Sequence, residues 1–70
     1  MSADELLLQI TSLYKLCKEH ASHCEGAACG ISVSMVRVVA EGLFAQMPSL
    51  TDEDLSKRRV AKLAIIMWPI

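Results

Sequence analysis

Apolar residues recur along this chain at helical spacing, in three blocks. In the first, Leu6, Ile10, Leu13 and Cys17 form one stripe, widened by Leu7 and Tyr14. Glu5, Gln9, Ser12, Lys15 and Glu19 fall on the other side. A three-to-four-residue period of this kind predicts an amphipathic helix. The second block, Ile31 to Met47, is apolar almost all the way round. Only Ser34, Arg37 and Glu41 make a thin polar stripe at helical spacing. The third block places Val60, Leu63, Ala64 and Met67 on one predicted stripe.

Start and stop signals divide the blocks. Ser2-Ala3-Asp4-Glu5 has the form of a capping box, with Met1 and Leu6 at the staple positions. The run from Glu25-Gly26 to Gly30 predicts a break, and Ser32 an N-cap for the second helix. Pro48 ends that helix, because the residue before a proline is pushed out of helical geometry. Thr51 caps the third helix with Asp54 at the third helical position, and Leu50 and Leu55 stand at its staple positions. Pro69 stops it. The prediction is an all-α fold in one domain: a small three-helix bundle with helices over about 3–23, 32–47 and 52–67.

Size changes how this bundle must be completed. Seventy residues bury only ~60% of their unfolded surface, so such a domain is marginally stable unless disulfides, a metal or association supplement its core. Hydrophobic residues make up 53% of the chain, with Tyr14, Phe44 and Trp68 its only aromatics. An aliphatic second helix with so little polar surface predicts completion by self-association, in its simplest form a homodimer. The expected interaction residues are Met35, Val38, Val39, Leu43 and Phe44, with Ile65, Ile66, Trp68 and Ile70 at the far end. Trp68 enters because tryptophan is enriched at interaction hot spots. The alternative is that it folds back onto its own core.

Charge and cysteine usage rank the other classes. Seven basic against eight acidic residues give a net charge of −1, which offers no global attraction to nucleic acid or anionic lipid. The start MSADELLLQI carries acids where a secretory signal carries bases, and the apolar run Leu63–Ile70 is far shorter than the ~20 residues of a membrane span. A cytoplasmic setting without a membrane span is expected, with the three cysteines as thiols. Cys17, His20, Cys24 and Cys29 have a spacing that would suit zinc if the first helix continues to Cys24. Structural thiols are the reading that ranks first, and it needs no cofactor. No oriented nucleophile–base–third-partner set appears, so the chain is not expected to be an enzyme.

The segment ACGISVSMVRVV, residues 28–39, resembles the turn and recognition helix of bacterial helix-turn-helix regulators. The resemblance implies a turn at Gly30, burial of Ile31, Val36 and Val39, and an approach to DNA by Ser32, Ser34 and Arg37. Lys57, Arg58, Arg59 and Lys62 would have to supply the phosphate contacts. Glu25 and Gly26 depart from that family's apolar and alanine positions. The basic run also has its own explanation in the i,i+4 pairs Glu53–Lys57 and Asp54–Arg58. A nucleic-acid partner therefore ranks below a protein partner.

Overall fold

A computed structural model describes residues 2–23 and 27–69, with His23 and residues 27–29 described by backbone alone. Three helices pack on one another: α1 (Ala3–His23), α2 (Ala27–Ala45) and α3 (Asp52–Ile66). Among the described residues there is no strand. The molecule measures 42 × 17 × 16 Å, the shape of a short rod. Direction follows from cross-helix pairs. Asp4–Lys57 and Tyr14–Trp68 set α1 and α3 side by side in the same sense. Trp68–Val33 and Arg58–Met47 set α2 against α3 in the opposite sense. The order is up–down–up. Both α2 and α3 pack chiefly on α1 and touch each other less.

The helix ends obey local rules. The Ser2 hydroxyl accepts from the Glu5 amide at 3.3 Å, which satisfies one of the unpaired donors at the start of α1. Its staple partner Met1 lies outside the described residues. At α3 the capping box is complete: Thr51 Oγ1 accepts from the Asp54 amide at 3.0 Å, and Asp54 Oδ2 accepts from the Thr51 amide at 3.2 Å. The staple expected beside it is not closed, since Leu50 is 92% exposed. Helix α2 closes with tight i→i−3 bonds from Gln46 to Leu43 and from Met47 to Phe44. Arg58 then donates to the Phe44 and Met47 carbonyls at 3.3 and 2.9 Å, satisfying acceptors freed at that terminus.

Leu6 and Ile10 on α1 are the largest side chains withdrawn fully from solvent. Around them pack Ala3, Cys17, Val33, Ala40, Met47, Ala61, Ile65 and Trp68, with Leu7, Leu13, Tyr14, Val36, Leu43, Phe44 and Ala64 half-buried at the margin. Ala40 and Ala61 have no exposed surface, so α2 and α3 present small side chains where they approach their neighbours. Among the described residues no polar or charged residue is buried.

Three expectations are corrected. Helix α2 begins at Ala27, so Gly30 lies inside it and Ser32 is no cap. The glycine reads as a breaker because it costs ~1 kcal/mol in a helix, and the helix runs through it nonetheless. Helix α3 buries the face carrying Ala61 and Ile65, continued by Trp68, and leaves Val60, Leu63 and Met67 exposed on the opposite side. The side chains of Lys57 and Arg58 cover the inner edge of α3, and a binary pattern scores them as polar. Trp68 and Ile65 turn inward, 5% and 4% exposed.

Candidate interaction surface

The outer side of α2 is apolar. Ile31, Met35, Val38 and Val39 are exposed by 62%, 65%, 66% and 56%. They rise over three turns of one helix, with Gly42 completing the row. A surface helix of a small domain ordinarily turns polar residues outward. Here the polar stripe does not face straight out: Ser34 and Arg37 are half-buried, and only Glu41 is exposed. Arg37 Nε lies 3.2 Å from Glu41 Oε1, so the pair is neutral along that edge.

Gly42 has an open outer side. A Cβ placed on it would meet nothing within 4 Å. The fold therefore gives no steric reason for the ~1 kcal/mol that glycine costs there relative to alanine.

On its other edge the α2 surface runs into a groove of about 340 Å³ against α1, lined by Leu13, Leu16, Cys17, His20, Ser32, Val33 and Val36. A second exposed apolar row, Val60, Leu63, Ile66 and Met67, lies on α3. It is shorter, and Arg59 borders it. Helix α2 carries the longer uncharged face.

The expected interaction residues thus divide. Met35, Val38 and Val39 stand together on the outer face of α2. Leu43 and Phe44 are half-buried against the core. Phe44 lies under two cations, with Arg58 Cζ 4.4 Å and Lys62 Nζ 5.6 Å from its ring centre. Ile66 is exposed on α3, apart from this face. Ile65 and Trp68 leave the surface altogether, and Ile70 lies outside the described residues. The Trp68 indole N–H donates to the Val33 carbonyl at 3.0 Å and its ring meets Tyr14 edge-on, so the polar handle and apolar body are both used internally. Sequence reasoning placed Ile31 among buried positions and weighed Gly42 only as a possible point of close helix approach; both share the four-and-three spacing of Met35 and Val38.

The candidate DNA set is largely engaged within the molecule. Lys57 pairs with Asp4 at 2.7 Å and Glu53 at 2.8 Å, and Arg58 caps α2. Arg59 is exposed, and so is Lys62 beside Phe44. The turn implied at Gly30 is helical, and Ile31 and Val39, implied as buried, are exposed. Ser32 borders the groove, while Ser34 and Arg37 sit half-buried. Val36, the third position implied as buried, packs against the core.

Of the candidate metal ligands, Cys17 is buried and His20 exposed. Cys24 lies outside the described residues, as does the Cys29 side chain. Among the described residues no group of three or more His, Cys, Asp or Glu side chains is placed to hold a metal. Nor is any described helix long and apolar enough to cross a membrane.

Among the described residues, Cys17 and Lys57 hold their protons more tightly in the folded chain. Burial pushes the Cys17 thiol above its ordinary pKa, and the neighbouring Trp68 indole opposes the shift. Hydrogen bonds to Asp4 and then Glu53 raise Lys57. A group with a raised folded pKa gives stability that is whole below its unfolded value and lost as pH rises through the folded one. Urea midpoints should fall as pH climbs past the ordinary thiol range. The fall should be smaller in Cys17→Ala, which keeps only the lysine part. A midpoint that is flat through this range would contradict the assignment.

Comparison with protein families, with curated protein sequences and with solved structures finds no match for this chain.

Proposed function

We propose that this chain is a small helical protein–protein interaction module that associates through the outer face of α2, in the simplest case with a second copy of itself. The observation that carries this is the exposed, uncharged row Ile31, Met35, Val38 and Val39. Burying such a row removes apolar area from water at about 25 cal/mol per Å², with no ion to desolvate. The role is binding rather than catalysis and needs no cofactor. Three thiols suit a reducing cytoplasm.

Light scattering and sedimentation over a micromolar concentration series test it. The expected result is a reversible dimer. Val38→Glu should yield a monomer with unchanged helicity, because Val38 is already 66% exposed and the new carboxylate stays hydrated in the single chain. In an interface it would be buried without a partner, at a cost of several kcal/mol. A wild-type chain that is monomeric across the series, or a Val38→Glu variant that associates equally well, would refute the proposal.

A further inference from the structure

We propose that the hollow between the end of α2 and α3 is a second binding site, which takes a short acidic segment of a partner protein. One apolar side chain of that segment seats on Phe44 and Leu55, and its carboxylates meet Arg59 and Lys62. The hollow has a volume of about 300 Å³ and is lined by Phe44, Leu55, Arg58, Arg59 and Lys62. It stays open because α2 and α3 touch each other less than either touches α1. Its floor is apolar, and its three charged groups are all cations.

These cations are left over because the neighbouring acids are used elsewhere. Helix α2 carries one carboxylate, Glu41, and it lies 3.2 Å from Arg37. On α3, Glu53 is held by Lys57 at 2.8 Å. Asp54 stands four residues before Arg58 but turns back to cap the helix, and Arg58 goes to the carbonyls that end α2. Among the described residues, Arg58, Arg59 and Lys62 form no ion pair. Arg58 and Lys62 nevertheless lean on one ring, 4.4 and 5.6 Å from the centre of Phe44. Two positive charges gathered at one ring repel each other, and an incoming anion relieves that repulsion. The sign of the occupant follows from this.

The floor calls for an apolar group. Leu50 and Leu55 hold the staple positions of α3, where such a pair ordinarily closes on itself. Here the staple is open, with Leu50 92% and Leu55 43% exposed. The volume stands at the lower bound of small-molecule pockets, ~300–1,000 Å³, and suits a single anchoring side chain. An apolar anchor ringed by arginine and lysine is how acidic peptide segments are recognised. Surrounding charge sets direction and length. Asp52 lies one turn before Leu55, with Arg59 one turn and Lys62 two turns after it. The acidic end of the segment therefore points toward the C-terminus of α3. A duplex or an anionic membrane presents a continuous field of phosphates and would also meet Asp52 and Glu53, both exposed. A short segment avoids them.

Heteronuclear NMR titration of the isotope-labelled chain tests this, with a synthetic peptide that carries one phenylalanine beside a run of glutamates. Saturable shifts are expected at Phe44, Leu55, Arg59 and Lys62, with an affinity that falls as salt rises. Arg59→Gln combined with Lys62→Gln should weaken binding about fivefold and leave helicity unchanged, since neither side chain makes an ion pair in the folded chain. Arg59→Glu combined with Lys62→Glu should weaken it about tenfold or more. A peptide with lysines for glutamates, or with serine for phenylalanine, should not saturate the site. The same titration with duplex DNA and with phosphatidylserine vesicles separates the other polyanions. No shift at these residues, or equal binding of the lysine peptide, overturns the proposal. So does tighter binding of DNA or vesicles than of the acidic peptide at the same residues.

Discussion

Trp68→Ala should leave the chain largely unfolded at 25 °C, while Trp68→Phe should fold with reduced stability. Removing a large buried aromatic costs ~3–5 kcal/mol through lost transfer energy and the cavity left behind. A core in a chain this short rarely supplies more than ~3–5 kcal/mol in all. Trp68 lies beyond the last turn of α3, yet its ring packs on Tyr14 of α1 and its N–H bonds the Val33 carbonyl of α2. Phenylalanine keeps much of the apolar contact and forfeits the hydrogen bond, a loss of about 1 kcal/mol. Circular dichroism during urea titration separates the two variants. A Trp68→Ala chain as stable as the wild type would show that this end segment does not hold the bundle closed.

Ile10→Ala should cost nearly as much, ~2–5 kcal/mol. Ile10 has no exposed surface and lies on α1, the helix against which both others pack. A cavity there loosens both helix contacts at once. Ile10→Val, which removes one methylene, should cost only ~0.5–1.5 kcal/mol. Leu8→Ala, at a position 67% exposed, should stay within ~0.5 kcal/mol of the wild type. Thermal and urea unfolding of the three variants give the comparison. Equal effects at positions 8 and 10 would contradict the packing described for α1.

Apolar periodicity and capping residues made the three helices legible. Thr51 and Asp54 announce the start of α3, and Leu6, Ile10 and Cys17 the inner face of α1. The inner face of α3 was hidden for a physical reason. It uses Ala61 where the backbones come close, and the stems of Lys57 and Arg58 at its edge, so the more hydrophobic row Val60–Leu63–Met67 looks like the core. The start of α2 was obscured by Gly30, whose residue type signals a turn whether or not neighbouring contacts keep it helical. The apolar excess of α2 was readable, as were three of its exposed residues. Which side faced outward was not, because a helix apolar nearly all round has no strong moment to orient it. Only the positions of α1 and α3 decide that Val33 and Ala40 face in and Met35 and Val38 face out.

The placement of Trp68 also has an optical consequence. It is the chain's sole tryptophan, and its ring centre lies 5.7 Å from that of Tyr14, the sole tyrosine. Excitation absorbed by the phenol passes to the indole at that range, so the native chain emits as a tryptophan whichever ring is excited. Once the end segment comes away from α1, the donor is released and tyrosine emission returns. One fluorophore pair thus reports the meeting of the first and last helices. Facing the core, it is shielded from the outer side of α2, so an emission change marks opening of the bundle and docking on that outer side leaves it dark.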